Sequence, residues 1–192
     1  MTAERLVFEA PAKVNLCLAV SYPPRDGYHL LDSVFFELPL ADSVCVERIS
    51  IDDVADHPAA AATAAGTLVA LECGALGIPT QDNLVFKAVD GFERAVGVAL
   101  APEDGGISIA VDKRIPAGGG LGGGSSDAAA TLRACCALAG LSEGDLRVEA
   151  LARTLGADVA FFLHGGTALM GGRGDLFEED LPPFPLPLVL MG

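Results

Sequence analysis

Alternating apolar positions near the amino terminus, later segments with helical apolar stripes, and a glycine run set between a strand and a helix call for an α+β fold built on a mixed sheet with helices. Apolar residues make up 51 % of the 192-residue chain, enough to bury a core and too many for disorder. The length suits one large domain, or one domain and part of another.

Residues 6–20 read as a strand interrupted at Pro11, because Val14, Leu16, Leu18 and Val20 recur with period two. Residues 23–29, PPRDGYH, form a turn or loop by their proline and Asp-Gly content. Residues 31–38 and 43–49 read as two further strands, joined by a short connection over 39–42. Residues 52–66 are Ala-rich and acidic without a clear period, a surface segment with no assigned structure. Asp82 is the expected N-cap of a helix over about 83–96, whose stripe is Leu84, Ala88, Phe92 and Ala95. A short strand, 107–111, precedes the glycine run. The helix beyond it carries Ala128, Leu132, Cys135 and Ala139 on one stripe and stops at Gly140. Residues 144–154 are a further helix, 156–163 a tight element with an apolar flank, and 166–171 a strand.

A formal net charge of −14 argues against a nucleic-acid partner, because backbone binding needs a cationic surface. A small phosphorylated ligand remains compatible, since it needs only converging N–H groups and one or two cations. No segment approaches the roughly 20 apolar residues of a membrane helix, and residues 1–5 lack the progression of a secretory signal. A cytoplasmic protein with no membrane association is therefore expected. Cys17, Cys45, Cys73, Cys135 and Cys136 are odd in number and lack Cys-x-x-Cys spacing, so no disulfide framework is expected and they read as small buried apolar residues in a reducing compartment. Cys135 and Cys136 are expected on different faces of one helix. Lysine occurs only at Lys13, Lys87 and Lys113, and asparagine only at Asn15 and Asn83. Residue types kept at so few positions are candidates for chemistry.

Gly118, Gly119, Gly120, Gly122, Gly123 and Gly124 fall within seven residues. Glycine lets successive N–H groups converge on one concavity, and the following helix adds its positive dipole end, with Ser125 and Ser126 supplying hydroxyls. A flexible linker would not be bounded by IPA and a striped helix, so the run reads as an anion cradle. Gly118-x-Gly120-x-x-Gly123 formally matches the dinucleotide fingerprint, but Glu143, about 20 positions on, begins a helix instead of ending a strand. No Gly-Lys-Ser/Thr ends the loop as a Walker motif requires, and the later motifs of protein kinases are absent. No Gly-x-Ser-x-Gly elbow is present, and none of His29, His57 and His164 sits in a triad context.

Asp158, in GADVAFFL, sets a carboxylate against an apolar run. Burial raises a carboxylate's pKa and makes it a better proton acceptor if a cation keeps it ionised. The plainer alternative is an N-cap for the element that follows. Lys13, inside an apolar alternating strand, is costly unless paired, the alternative being a lysine snorkelling at a strand edge. Asn15 lies two positions on and shares its strand face.

PAKVNLCL, DGYHLL, KRIPAGGGLGGGSSDAAATL and LGADVAFFLHGG, in that order, resemble the motifs of the GHMP (galactokinase, homoserine, mevalonate, phosphomevalonate) kinase superfamily. The resemblance implies the family's amino-terminal domain, similar to domain 2 of ribosomal protein S5, over 1–165 and the beginning of a second α+β domain over 166–192. It implies a kinase, a transferase of the γ-phosphoryl of ATP to an alcohol. The pairing of PAKVNL with DGYH points to the branch that phosphorylates the 2-hydroxyl of a cytidine diphosphate-linked polyol in non-mevalonate isoprenoid synthesis. On that basis Asp158 takes the proton from the attacking hydroxyl, and Lys13 stands beside it. Asn15, Tyr28 and His29 hold the substrate. Asn83, Lys113, Pro116, Ala117, Gly118, Gly119, Gly120, Leu121, Gly122, Gly123, Gly124, Ser125 and Ser126 serve ATP. Asn83 reads equally well as an ordinary early-helix residue. Mg²⁺ accompanies ATP, with Ser125 or Ser126 a candidate ligand and no dedicated protein site identified.

Asp127 stands where some relatives carry Asn, a charge tolerable near phosphates only if it points away or caps the helix, and Ala160 stands where Pro is frequent. The resemblance also implies roughly a further hundred residues, in line with ordinary domain sizes. This chain stops at LPLVLMG, which reads as a new buried strand, so a fragment or shortened product is expected, without full activity alone. The rival readings are another small-molecule kinase of the superfamily, acting on homoserine, mevalonate or a sugar, and an inactive nucleotide-binding module.

Overall fold

The computed structural model describes residues 5–20, 31–74, 77–101, 105–182, 185 and 187–190. One seven-stranded sheet organises them. Its strands are β1 (Arg5–Val20), β2 (Leu31–Ser50), β3 (Ala60–Ala62), β4 (Leu68–Cys73), β5 (Gly105–Asp112), β6 (Thr167–Gly171) and β7 (Leu176–Asp180). Their order is β3-β4-β5-β2-β6-β7, with β1 paired to β2; β4 and β5 run parallel and the other pairs antiparallel. The helices are α1 (Ile51–Ala55), α2 (Leu84–Val96), α3 (Gly123–Ala139), α4 (Leu146–Leu155) and α5 (Ala157–His164), with a 3₁₀ turn at Thr80–Asp82. Among the described residues no helix is long and apolar enough to cross a membrane.

β2 is the spine, and it corrects the expectation of two strands. Residues 39–42 are not a connection: the strand continues through Pro39, with β1 along one side. On its other side β6 pairs with Ser33–Phe36 and β5 with Ser43–Ser50. A proline survives there because 37–42 has neither neighbour on that side, so no ladder N–H is required of it. β1 also runs through its proline. Its register slips between Pro11 and Lys13 and again between Asn15 and Cys17. Such bulges bend a strand and re-aim side chains, and here they bracket Lys13 and Asn15.

α3 was expected to bury one stripe. Instead it packs against β1, β2, α2 and α5 and buries residues on nearly every face, so Cys135 and Cys136 are both interior. Small side chains (Ala128, Ala129, Ala130, Ala134) make this close approach possible. Phe92, Phe161, Phe162, Leu132 and Met170 fill the space around it, with Phe161 edge-on to both Phe35 and Phe162.

Three boundaries differ from expectation. Asn83, not Asp82, caps α2: Asp82 closes the 3₁₀ turn, whereas Asn83 has the extended backbone of an N-cap, and its Oδ1 accepts from Val85 N at 2.9 Å. Residues 52–66 hold most of α1 and all of β3, and Thr63, with Thr67 just beyond, donates to the buried carboxylate of Glu93. Residues 167–180 stay in the sheet, since β6 pairs with β2 and β7 with β6. Residues 187–190 form no strand and Val189 is 83 % exposed; Pro185 and Pro187 withhold the N–H groups a ladder would use.

Candidate active site

The loop from β5 to α3 is shaped by alternation. Gly118, Gly120 and Gly122 have φ of 79°, 69° and 75°, with Gly119 between the first two outside the left-handed region. That alternation turns successive N–H groups toward one side and makes an anion-binding nest. Gly122 is also the N-cap of α3 and makes no side-chain cap bond, so among the described residues no capping side chain takes up the first-turn N–H groups of that helix. No other residue fits at Gly122. A Cβ there would stand 2.8 Å from Phe162 Cε2 and 3.3 Å from Lys13 Cγ.

The loop walls a cleft of about 320 Å³, lined by Pro116 through Gly124 together with Cys73, Ile78, Asn83, Lys113 and Asp127. Asn83 Oδ1 accepts from Val85 N at the α2 cap, and the Asn83 side chain also bonds the Cys73 thiol. Ser125 and Ser126 are not among the lining residues. Ser126 is buried, and its Oγ has no hydrogen-bond partner among the described residues. Ser125 Oγ lies 4.0 Å from the point where a Cβ on Gly156 would stand, beside the start of α5.

Lys113 lines the cleft, but its ammonium is not free. It pairs with Asp42 of β2 and lies 2.6 Å from Asp127 Oδ2 in the first turns of α3. Asp42 also accepts from Arg114 N at 2.5 Å and Ile115 N at 2.8 Å. Burial works against the Asp42 charge, but the bonds from Lys113, Ile115 and Arg114 outweigh it and hold the carboxyl below the usual range. Burial likewise opposes the Lys113 charge and is outweighed by the two carboxylates, which hold its pKa above the ordinary value. Asp127 goes the other way: burial pushes it up to about 6, Lys113 opposes that, and the Asp42 charge adds to it. Asp127 therefore neither points away nor caps the helix, the two escapes expected for it.

On the far side of the loop stands Lys13. Its backbone N donates to Leu121 O at 2.9 Å, which ties β1 to the glycine run. Its Nζ donates to Asn15 Oδ1 at 2.7 Å, faces Asp158 Oδ2 at 3.4 Å, and sits 4.7 Å from the centroid of the Phe35 ring. Asn15 Nδ2 donates to the buried Ser33 Oγ at 2.8 Å, which donates in turn to Cys17 O. The burial expected at Asp158 falls on Lys13 instead: their side chains are 31 % and 7 % exposed. Asp158 is in the first turn of α5, whose N-cap is Gly156, so it is not an N-cap. The position leaves its carboxylate accessible to a ligand while Lys13 holds it from behind.

Tyr28 and His29 lie outside the described residues. Asp42, Ser33 and Phe35 carry parts of this site that the sequence reading missed. Asp42 had a usable signal, an acid within a long apolar alternation whose charge needs a partner, hidden because the strand was cut at that point.

Residues 83–166 match the family model described as the GHMP kinases N terminal domain. That stretch takes in the glycine loop, the helix it feeds and Asp158, and over it the chain is similar to the GHMP kinases. Among proteins of known sequence it is 36 % identical over 195 residues to a 4-diphosphocytidyl-2-C-methyl-D-erythritol kinase of Idiomarina loihiensis, matching 99 % of this chain and 61 % of that protein. A protein of the same name from Thermus thermophilus is 40 % identical over 177 residues, covering 92 % of this chain and 54 % of its own length. A crystal structure of 4-(cytidine 5'-diphospho)-2C-methyl-D-erythritol kinase superimposes with a TM-score of 0.65 at 40 % identity, over 95 % of this chain and 56 % of that one. A mevalonate kinase structure, at TM-score 0.64 and 13 % identity, shares the fold. The chain thus spans a little over half the length of these relatives.

Proposed function

We propose that this chain carries the nucleotide loop and the catalytic pair of an ATP-dependent kinase, and that its acceptor is the 2-hydroxyl of 4-diphosphocytidyl-2-C-methyl-D-erythritol. One observation carries the reading: a single buried lysine is joined to the glycine nest through its backbone N and to a carboxylate through its Nζ. A triphosphate in the nest would place its terminal phosphoryl on the Lys13 side, next to a group able to accept a proton. The likeness to the named kinases supplies the acceptor, and Tyr28 and His29 are assigned to its cytosine on the same footing.

In the proposed reaction Asp158 accepts the proton of the acceptor hydroxyl. The freed oxygen forms its bond to the γ-phosphorus while the bond from that phosphorus to the bridging oxygen breaks, and ADP leaves with the electron pair. Little covalent work falls to the protein, so positioning and charge stabilisation supply the rate. Lys13 pairs with Asp158 at 3.4 Å and offsets charge growing on the transferred group. Asn15, its amide set by Lys13 and Ser33, orients the polyol.

Mg²⁺ takes phosphate and water oxygens and only one or two protein ligands. It would neutralise phosphate charge, and the Ser125 hydroxyl, between the nest and α5, suits it better than the buried Ser126. The protein is assigned to the cytoplasm, with no nucleic acid or membrane partner.

The test is ATP-dependent phosphorylation of a panel of alcohols. Transfer to the cytidine diphosphate-linked polyol, and not to homoserine, mevalonate or hexoses, is the expected result. Preferential transfer to any of the others would reassign the substrate, and ATP binding without transfer to any would reduce the chain to a nucleotide-binding module.

A further inference from the structure

β5 ends at Asp112, paired with Ser43 of β2. Continuing that ladder by one step would set Lys113 against Asp42. The ladder stops, and the Asp42 side chain takes its place: the carboxylate is fully buried and accepts from Arg114 N, Ile115 N and Lys113 Nζ. Those three residues lead directly into the glycine loop. Lys113 then reaches Asp127 at 2.6 Å, in the helix into which the loop runs. Both ends of the loop are thus held by one buried ionic chain, anchored on the middle of the longest strand.

We infer that Asp42 is a positioning residue for nucleotide binding, clamping the entry of the glycine loop directly and its exit through Lys113, so that the nest's N–H groups are held in their converging arrangement before the ligand arrives. The inference rests on reading that nest as the ATP cradle. Its physical reason is general. A glycine-rich segment loses more conformational freedom on ordering than any other, and a stem fixed in advance removes part of that cost from the binding step. A further consequence is that Lys113, neutralised by two carboxylates, serves the loop more than the phosphates, and the triphosphate is met by backbone N–H groups and Lys13.

Asp42→Asn tests it, because it keeps an acceptor oxygen for the backbone and loses the charge that holds Lys113. ATP affinity is measured by titration calorimetry, and amide hydrogen exchange is followed segment by segment, on the whole chain at a temperature where the variant is folded. The expected result is ATP binding weakened roughly tenfold or more, with faster exchange confined to residues 113–126 and unchanged protection in α2 and α4. Unchanged affinity overturns the inference, and so does weakened affinity with exchange raised throughout, which is loss of stability alone. If Asp42→Asn does not fold, Lys113→Gln breaks the same tie from the other side and is judged by the same two readouts. Failure of the unaltered chain to bind ATP overturns the kinase reading, and this inference with it; binding by the unaltered chain and equal binding by the variant overturns the clamp alone.

Discussion

Lys13 is the side chain on which the site turns. A compact ammonium can sit 2.7 Å from an amide oxygen, 3.4 Å from a carboxylate and over an aromatic ring at once, where a planar guanidinium would need more room. Buried without those partners it would be costly. Lys13→Ala is therefore expected to lower the turnover number by roughly 10²-fold or more, whereas Lys87→Ala, exposed on α2, leaves it unchanged; steady-state kinetics on both variants checks this. Equal losses would remove Lys13 from its role. Lys13 and Asn15 were legible because rare residue types fell inside motifs, and Asp158 because a carboxylate stood against an apolar run. Asp42 was not, because cutting the strand at Pro39 hid its place in the alternation, and its partners lie 71 or more residues later in the chain.

The glycine loop was legible as an element, while its individual requirements were not. Period and composition identify a strand, a glycine run and a helix; they do not say which glycine is irreplaceable. Packing decides that. Gly118 (φ 79°) has open space where a Cβ would go, and Gly122 (φ 75°) has Phe162 at 2.8 Å. Gly118→Ala should cost about 1–2 kcal/mol of stability from its left-handed backbone alone. Gly122→Ala adds overpacking against a buried ring and should cost about 2–5 kcal/mol in all, with loss of ATP binding. Thermal denaturation of the two variants compares them, and equal destabilisation would contradict the close contact. The same limit explains the split of β2 in the sequence reading. Pro39 and the acid at 42 look like a turn locally, and only the change of neighbour from β6 to β5 shows why a strand can carry them. α2 shows it on a smaller scale, since both Asp82 and Asn83 are good capping types and only the backbone of Asn83 suits.

Across the molecule, the sheet brings β1, β2 and the β5–α3 loop together around one ionic chain, and that chain has a pH signature. Asp127 holds its proton to about pH 6 in the folded state and only to about pH 4 when unfolded. Between those values the folded chain binds more protons, so this group's contribution to stability is full below about pH 4 and is lost as pH rises through about 6. Asp42 is shifted downward, so its contribution is present above the ordinary carboxylate range and is lost at lower pH. Asp127→Asn removes the first dependence. Relative to the unaltered protein, the variant should gain stability between pH 4.5 and pH 7 in denaturant titrations, and a pH-independent difference would contradict the burial of that carboxyl. The α+β class, the unpaired cysteines and the likeness to the GHMP kinases were visible at this scale from order and composition. The placement of β6 and β7 in the same sheet was not, because short apolar strands do not declare their neighbours. The most direct measurement is the turnover of Asp158→Asn beside its ATP dissociation constant. A proton acceptor poised across Lys13 from a separate nucleotide cradle predicts turnover lower by roughly 10²–10⁴-fold with ATP affinity nearly unchanged; full turnover in the variant would contradict it.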